Sequence, residues 1–481
     1  MLRTSDHESS AENYQSSLYS PVETASGLRQ LVDEQGRFFR SGATRPHAFR
    51  IEQLKRLYRA IHQREASLLD ALKKDLRKHR SEAYMAEIGF VYCEITEAIK
   101  KLSRWMAPKR VPSPLVIWPA TSRLVSEPLG RCLIISAWNY PVQLSIAPIV
   151  GAIAAGNVMV LKPSELASHT ARILVDLINT EFPHEYLHAV EGGADVASKL
   201  LDLRWDHIFF TGSTSVGKIV AGAAAKHLTP CTLELGGKSP CLVTRHANLK
   251  LAARRVVFGK FLNVGQTCVA PDYVLVEHSV HDAFIRALSA EILSRFGANP
   301  LQNDQLGKIV NERHFHRLAG LLDPAKVCHG GRCDSTKLMI EPTLMKGVTL
   351  SDPIMHDEIF GPILPILSVQ DLSEAKAIVQ AFEKPLALYL FSADRSEQDD
   401  VISSLSFGGG CINDTLIHTA NPHLPFGGVG QSGSGAYHGH HSFNTFSHQK
   451  SIVLQKNAVD LPIRYNPWNS TKERLIRFLV K

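Results

Sequence analysis

Cys268 stands in the string Asn263-Val264-Gly265-Gln266-Thr267-Cys268-Val269-Ala270-Pro271, a thiol flanked by small and polar residues with a glycine close by. That setting suits an exposed nucleophile better than a thiol that only fills a core. Upstream lies Leu233-Glu234-Leu235-Gly236-Gly237-Lys238, a carboxylate followed by a glycine pair. If the two strings meet in space, the chain holds a nucleophile and a base for acyl chemistry. Asn139, in Ser136-Ala137-Trp138-Asn139-Tyr140-Pro141, follows an apolar run and is placed to donate to a developing oxyanion. The alternative is a turn asparagine beside a proline. Glu358, in His356-Asp357-Glu358-Ile359-Phe360-Gly361-Pro362, offers a second carboxylate, or simply a surface turn.

A phosphate site is also suggested. Thr211-Gly212-Ser213-Thr214-Ser215-Val216-Gly217-Lys218 lies between a strand pattern and a helix pattern, where backbone N–H groups favour an anion. Gly212, Gly217 and Lys218 have P-loop spacing, but Ile219 replaces the magnesium-binding hydroxyl. The dinucleotide fingerprint fails too, because Thr214 stands at its middle glycine. A plain tight turn remains open. Lys162 and Glu165, in Leu161-Lys162-Pro163-Ser164-Glu165, could meet ribose hydroxyls or merely start a helix. Cys328, His329 and Cys333 flank Gly330-Gly331, which reads as a surface loop rather than a metal site. His438, His440 and His441 read as loop packing in a glycine-rich segment.

These residues need a scaffold. The spacing predicts long amphipathic helices over 49–74 and 82–105, and a proline-punctuated extended hairpin over 109–128. From 132 to 235 short apolar strands alternate with helices, which indicates a parallel sheet covered on both faces. A second alternation begins after Gly237, with helices at 249–261 and 282–296 around a strand at 273–276. The predicted class is therefore α/β, with two consecutive parallel-sheet domains.

The 481 residues are 44% hydrophobic and 21% charged, as in a folded globular protein. A net charge of +7 spread over this length makes no clustered basic patch, so nucleic-acid binding is not indicated. Eight scattered cysteines read as reduced thiols in the cytoplasm. The polar, serine-rich first twenty residues read as a loose tail, and no run suggests a membrane span.

Taken together, the strings at 138–141, 161–165, 210–213, 234–238, 265–268 and 358–362 resemble the aldehyde dehydrogenase family, in family order, from about residue 38 to residue 450. The strings at 263–273, 425–439 and 443–448 resemble its class 3. The resemblance implies a Rossmann-like cofactor domain from 29–108 and 129–236, after a flexible tail at 1–28. It also implies a catalytic domain at 237–418, with oligomerisation elements at 109–128 and 419–481. It further implies NAD or NADP as cofactor, a small-molecule aldehyde substrate of apolar character and a homodimer. In that reading Cys268 is the nucleophile, Asn139 the oxyanion donor, Glu234 the water-activating base, and Glu358 a second candidate for proton transfer. Gly212, Ser213, Thr214, Ser215, Val216 and Gly217 line the pyrophosphate, and Lys162 and Glu165 meet the adenosine ribose. Trp138 counts to the cofactor site, and Glu358 and Phe360 to its nicotinamide end. Ala137, Gln431 and Ser434 depart from the pattern of many relatives, the last two near the substrate side. The charged end at 473–481 replaces the long apolar tail of some relatives, so a permanent anchor is not expected.

Overall fold

The computed structural model describes residues 24–480. Thr24 caps a helix over Ala25–Arg40 by accepting from the Gly27 N–H at 3.1 Å, and Leu28 is fully buried in that helix. Residues 25–28 of the tail expected over 1–28 are therefore helical, because an apolar face at Leu28, Leu31 and Val32 packs on the first sheet. The rest of that expectation lies outside the described residues. The two long helices appear at His47–Leu76 and across Arg80–Met106, the second passing through a π-helical turn at Tyr84–Ile88.

The first sheet has six strands in the order Gly433–Ser434, Cys231–Glu234, His207–Thr211, Arg131–Ile135, Val158–Lys162, Leu187–Ala189. All neighbours are parallel except Gly433–Ser434, which returns from the far end of the chain and runs antiparallel against Leu233 and Glu234. The apolar strands pack against the helix Pro141–Ala155, every one of whose residues but Gln143 is buried. Such a helix cannot be amphipathic, since sheet and outer helices cover it on all sides.

The second sheet has seven strands, in the order Val327–His329, Thr343–Lys346, Ile363–Val369, Tyr273–Glu277, Pro240–Val243, Ala387–Phe391, Gly409–Ile412. Only Val327–His329 is antiparallel to its neighbour. The two consecutive parallel-sheet units expected from the alternation are thus both present. The extended hairpin is present as well. Lys109–Val111 pairs with Thr121–Pro128, which in turn pairs with Ser447–Leu454, so the C-terminal segment completes a separate three-stranded sheet.

One buried ion pair ties the N-terminal helices to the first sheet. Lys78 Nζ lies 2.5 Å from Glu87 Oε1, with both side chains fully buried, and Glu87 Oε2 accepts the Val142 N–H at 2.8 Å. Lys78 also donates to the Asn139 carbonyl at 2.7 Å and sits 4.0 Å above the Tyr140 ring. Burial pushes the Glu87 carboxyl up, and the Lys78 charge opposes that. Removing one partner of such a pair strands the other in a low dielectric. Lys78→Met should therefore destabilise the fold by about 3–5 kcal/mol in urea melts. A loss under about 1 kcal/mol would show that the pair contributes little.

Candidate active site

The candidate residues sit where the two sheets face each other. Asn139 follows the carboxyl end of Arg131–Ile135, and Pro141 then starts the buried helix at its first turn. Glu234 ends its strand between Thr211 and Gly433. Open α/β sheets bind ligands at such carboxyl ends.

Cys268 comes from the other sheet. The helix Leu249–Phe261 passes into a tight turn in which Asn263, Val264 and Gly265 have φ of 51°, 56° and 74° in succession. Left-handed backbone is costly for valine, so packing must impose it. At Gly265 a Cβ would stand 2.2 Å from the Gly361 carbonyl oxygen, which is why glycine is required there. Buried amides fix the turn. Asn263 Nδ2 donates to the carbonyls of Asn139 (2.8 Å) and Gln266 (3.0 Å). Gln266 donates to the Lys308 carbonyl at 3.0 Å and accepts the Val310 N–H at 3.0 Å. Asn139 Nδ2 donates to the Gln266 carbonyl at 3.1 Å, which leaves its second amide proton for another acceptor. The hydroxyls of Tyr140 and Thr267 share a hydrogen bond of 2.7 Å.

Cys268 and Asn139 both stand on the wall of a cavity of about 240 Å³, otherwise lined mainly by apolar side chains such as Met85, Phe90, Phe258, Leu262, Ile417 and Phe426. Both carboxylates lie close enough for their charge to act on the thiol. Glu234 is 2% exposed, and neither of its carboxylate oxygens has a hydrogen-bond partner among the described residues. Burial alone pushes its carboxyl well above the usual range. Glu358 packs against bare backbone, since a Cβ on Gly236 would stand 2.1 Å from Glu358 Oε2. Burial and Asp272 push Glu358 up to about 8, against the Gly237 N–H, Lys238 and Lys260. Burial, then Glu358 and Glu234, push the Cys268 thiol up to about 12.

The phosphate loop lies at the helix Thr214–Ala225, capped by Ser213, whose Oγ accepts from the Val216 N–H at 3.4 Å. Gly212 N–H donates to the Glu234 carbonyl at 3.0 Å, so the loop and the carboxylate share one strand end. Thr214 Oγ1 donates to the Gln431 carbonyl at 3.1 Å, and Ser215 and Val216 are exposed. A Cβ on Gly217 would stand 2.7 Å from Leu235, so glycine lets the helix start close onto the strand. This bare helix start at a crossover between parallel strands fits a dinucleotide pyrophosphate. Lys162 Nζ bonds Glu165 Oε2 at 2.7 Å at the neighbouring strand end. The Trp138 ring stands edge-on to Phe360, centroids 5.4 Å apart, and tilted against His314 at 5.5 Å.

The aldehyde dehydrogenase family profile matches residues 17–452. The chain belongs to that family. It is 49% identical over 443 residues to a 4,4'-diaponeurosporen-aldehyde dehydrogenase of Staphylococcus aureus, covering 92% of this chain and 96% of that protein. It is 44% identical over 444 residues to a dimeric, NADP-preferring aldehyde dehydrogenase of Mus musculus, covering 92% and 98%. The solved substrate-bound state of Staphylococcus aureus AldH superposes with a TM-score of 0.93 at 47% identity, covering 94% of this chain and 99% of that one. The class 3 resemblance agrees with these relatives.

Cys268, Glu234, Glu358 and Asn139, all singled out in the sequence, lie near one another in the structure. Sequence reading missed the amides behind them, Asn263 and Gln266, although both lie in the cysteine string. It also missed Lys260, a lysine in a helix pattern that ends fully buried. His438, read as loop packing, is buried and stacks on Phe426 at 5.1 Å in the cavity wall. Its glycine-rich neighbourhood was the only signal in the sequence.

With the thiol raised so far, the apo enzyme should hold Cys268 as a protonated thiol at neutral pH. Its alkylation by iodoacetamide should accelerate about tenfold per pH unit between roughly pH 7 and 10. A plateau with a midpoint near neutrality would show instead that the resting thiol is already ionised.

Proposed function

We propose that this enzyme oxidises apolar aldehydes, aromatic or medium to long aliphatic, to carboxylic acids with NAD or NADP. The observation that carries the reading is the apolar cavity onto which both Cys268 and Asn139 open. An apolar aldehyde gains by leaving water there, while its carbonyl can reach the free Asn139 amide proton and the backbone N–H of Cys268.

Cys268 attacks the carbonyl carbon as its proton passes to a carboxylate; the C–S bond forms and the carbonyl oxygen becomes the oxyanion that Asn139 steadies. Glu358, perturbed into the range where it can both take and give a proton, suits that transfer. Gly212, Ser213, Thr214, Ser215, Val216 and Gly217 would hold the pyrophosphate, Lys162 and Glu165 the ribose, and Trp138, Glu358 and Phe360 the nicotinamide end. Once bound, the dinucleotide supplies the acceptor for the hydride that leaves the thiohemiacetal, so that a thioester remains on Cys268. Glu234 then takes a proton from the water that hydrolyses the thioester. Its unpartnered oxygens leave both lone-pair sets free for that task.

Assembly as a homodimer is supported by the small sheet. Leu115, Val116, Trp118, Val453 and Leu454 are exposed on the hairpin and its returning strand, an apolar surface that a second copy would cover. The mouse relative is described as dimeric. A cytoplasmic setting is supported by eight free cysteines, none of them in a disulfide among the described residues. No helix among those residues is long and apolar enough to cross a membrane.

Benzaldehyde or hexanal should yield NADH or NADPH without added phosphate or coenzyme A, and Cys268→Ala should abolish the signal. Undiminished turnover in that variant would overturn the mechanism, and a phosphate or coenzyme A requirement would point to an acylating reductase. Glu234→Gln should give one burst of reduced cofactor and then stall at the thioester. If Glu358→Gln stalls that way instead, the water-activating role belongs to Glu358.

A further inference from the structure

Beside the cavity that holds Cys268 and Asn139 lies a second one of about 400 Å³, and the two share the side chains of Met85, Phe258 and Leu262. The second has neither the thiol nor the amide in its wall. Phe258 and Leu262 stand four residues apart across the end of the helix Leu249–Phe261, a spacing that turns both toward one face. Met85 comes from the π-helical turn Tyr84–Ile88 and is 53% exposed. Such turns are rare and concentrate at functional sites. A pliable, unbranched side chain left half in water between two cavities is a boundary that a ligand can cover.

The second cavity is built for an uncharged chain. Val257 and Phe261 are buried in its wall, and the Phe261 ring stands edge-on to Phe296, centroids 6.2 Å apart. Its polar side chains are mostly engaged by their own neighbours. Glu82 Oε1 accepts the Asn263 N–H at 2.9 Å. Arg295 donates from Nε to Glu291 Oε1 at 2.6 Å and from Nη2 to the Arg254 carbonyl at 3.1 Å. His79 Nδ1 accepts the Ser81 N–H at 3.2 Å. Size points the same way. Small-molecule sites usually occupy about 300–1,000 Å³. The cavity at Cys268, about 240 Å³, falls short of that, and with its neighbour it falls within the range.

We propose that the second cavity is the subsite for the far end of long aliphatic aldehydes, and that Met85, Phe258 and Leu262 form the saddle over which the chain passes. This rests on the reading of the enzyme as an oxidant of apolar aldehydes. A short aldehyde such as hexanal is held by the first cavity alone. A chain too long for it lays its remaining methylenes against Val257, Phe261 and Phe296 instead of water. Each methylene so buried is worth about fourfold in kcat/KM. The contact is remote from the reacting carbon and equal in ground and transition states, so it acts through KM.

The test compares hexanal with hexadecanal as substrates of the full chain at saturating cofactor. Ser81 and Gln305 are exposed and line only the second cavity, so a tryptophan at either position fills it from the rim. Gln305→Trp and Ser81→Trp should each lower the hexadecanal-to-hexanal ratio of kcat/KM by about tenfold or more, the equivalent of two or more methylenes returned to water. The loss should lie in the KM for hexadecanal. A ratio unmoved in both variants overturns the subsite, and so do equal losses for the two aldehydes. A hexadecanal loss confined to kcat overturns it as well. Wild-type enzyme that oxidises neither aldehyde overturns the function itself, whereas hexanal turnover with an unmoved ratio overturns the subsite alone.

Discussion

The carbonyl and side chain of Asn139 form the junction on which the rest of the molecule depends. The carbonyl accepts from Lys78 and from Asn263, and the side-chain amide donates to the Gln266 carbonyl. One residue of the first sheet is thereby fastened to the turn of the second sheet that presents Cys268. A contact that joins the two units also sets the distance between the Asn139 amide and Cys268. A relative movement of the two sheets cannot leave the reacting geometry intact. This explains why so much buried polarity, with its desolvation cost, is concentrated at one point.

The same junction is electrostatically hostile to an unliganded thiolate. Cys268, Glu234 and Glu358 share a poorly hydrated space, and each negative charge there disfavours the others. The resting enzyme relieves this by protonation. A neutral thiol beside raised carboxylates is ready to exchange a proton when a carbonyl arrives, while an idle thiolate would be open to oxidation. Gly236 and Gly237 make the crowding possible, the first by leaving room for the Glu358 carboxylate and the second by offering it a backbone N–H.

Much of this was legible in the sequence, since local periodicity marks strands and helices and nearly every element from 131 to 296 falls where the apolar spacing put it. The candidate site strings were visible for a different reason: a thiol, a carboxylate or an amide at a strand end is conspicuous among apolar neighbours. What stayed hidden depends on contacts between distant segments. Gln266 and Asn263 look like ordinary turn residues until Asn139 and Lys308 are brought beside them. Lys260 follows the charge pattern of a solvated helix face, yet its side chain is fully buried once the chain folds. Leu28 was assigned to a tail because one buried helix face cannot be recognised without the sheet it covers.

The strand Gly433–Ser434 gives this architecture a temporal order. It forms the edge of the first sheet and pairs with Leu233 and Glu234, yet it is synthesised roughly two hundred residues after them, a separation that makes such pairing slow. The helices and the four inner parallel strands can assemble early on a growing chain. The edge beside Glu234 stays unpaired until the whole second sheet has been made. During synthesis, the surroundings of Glu234 are thus the last part of the first sheet to close, and a chain interrupted before residue 433 keeps an open β-edge beside that buried carboxylate, where other nascent strands can add.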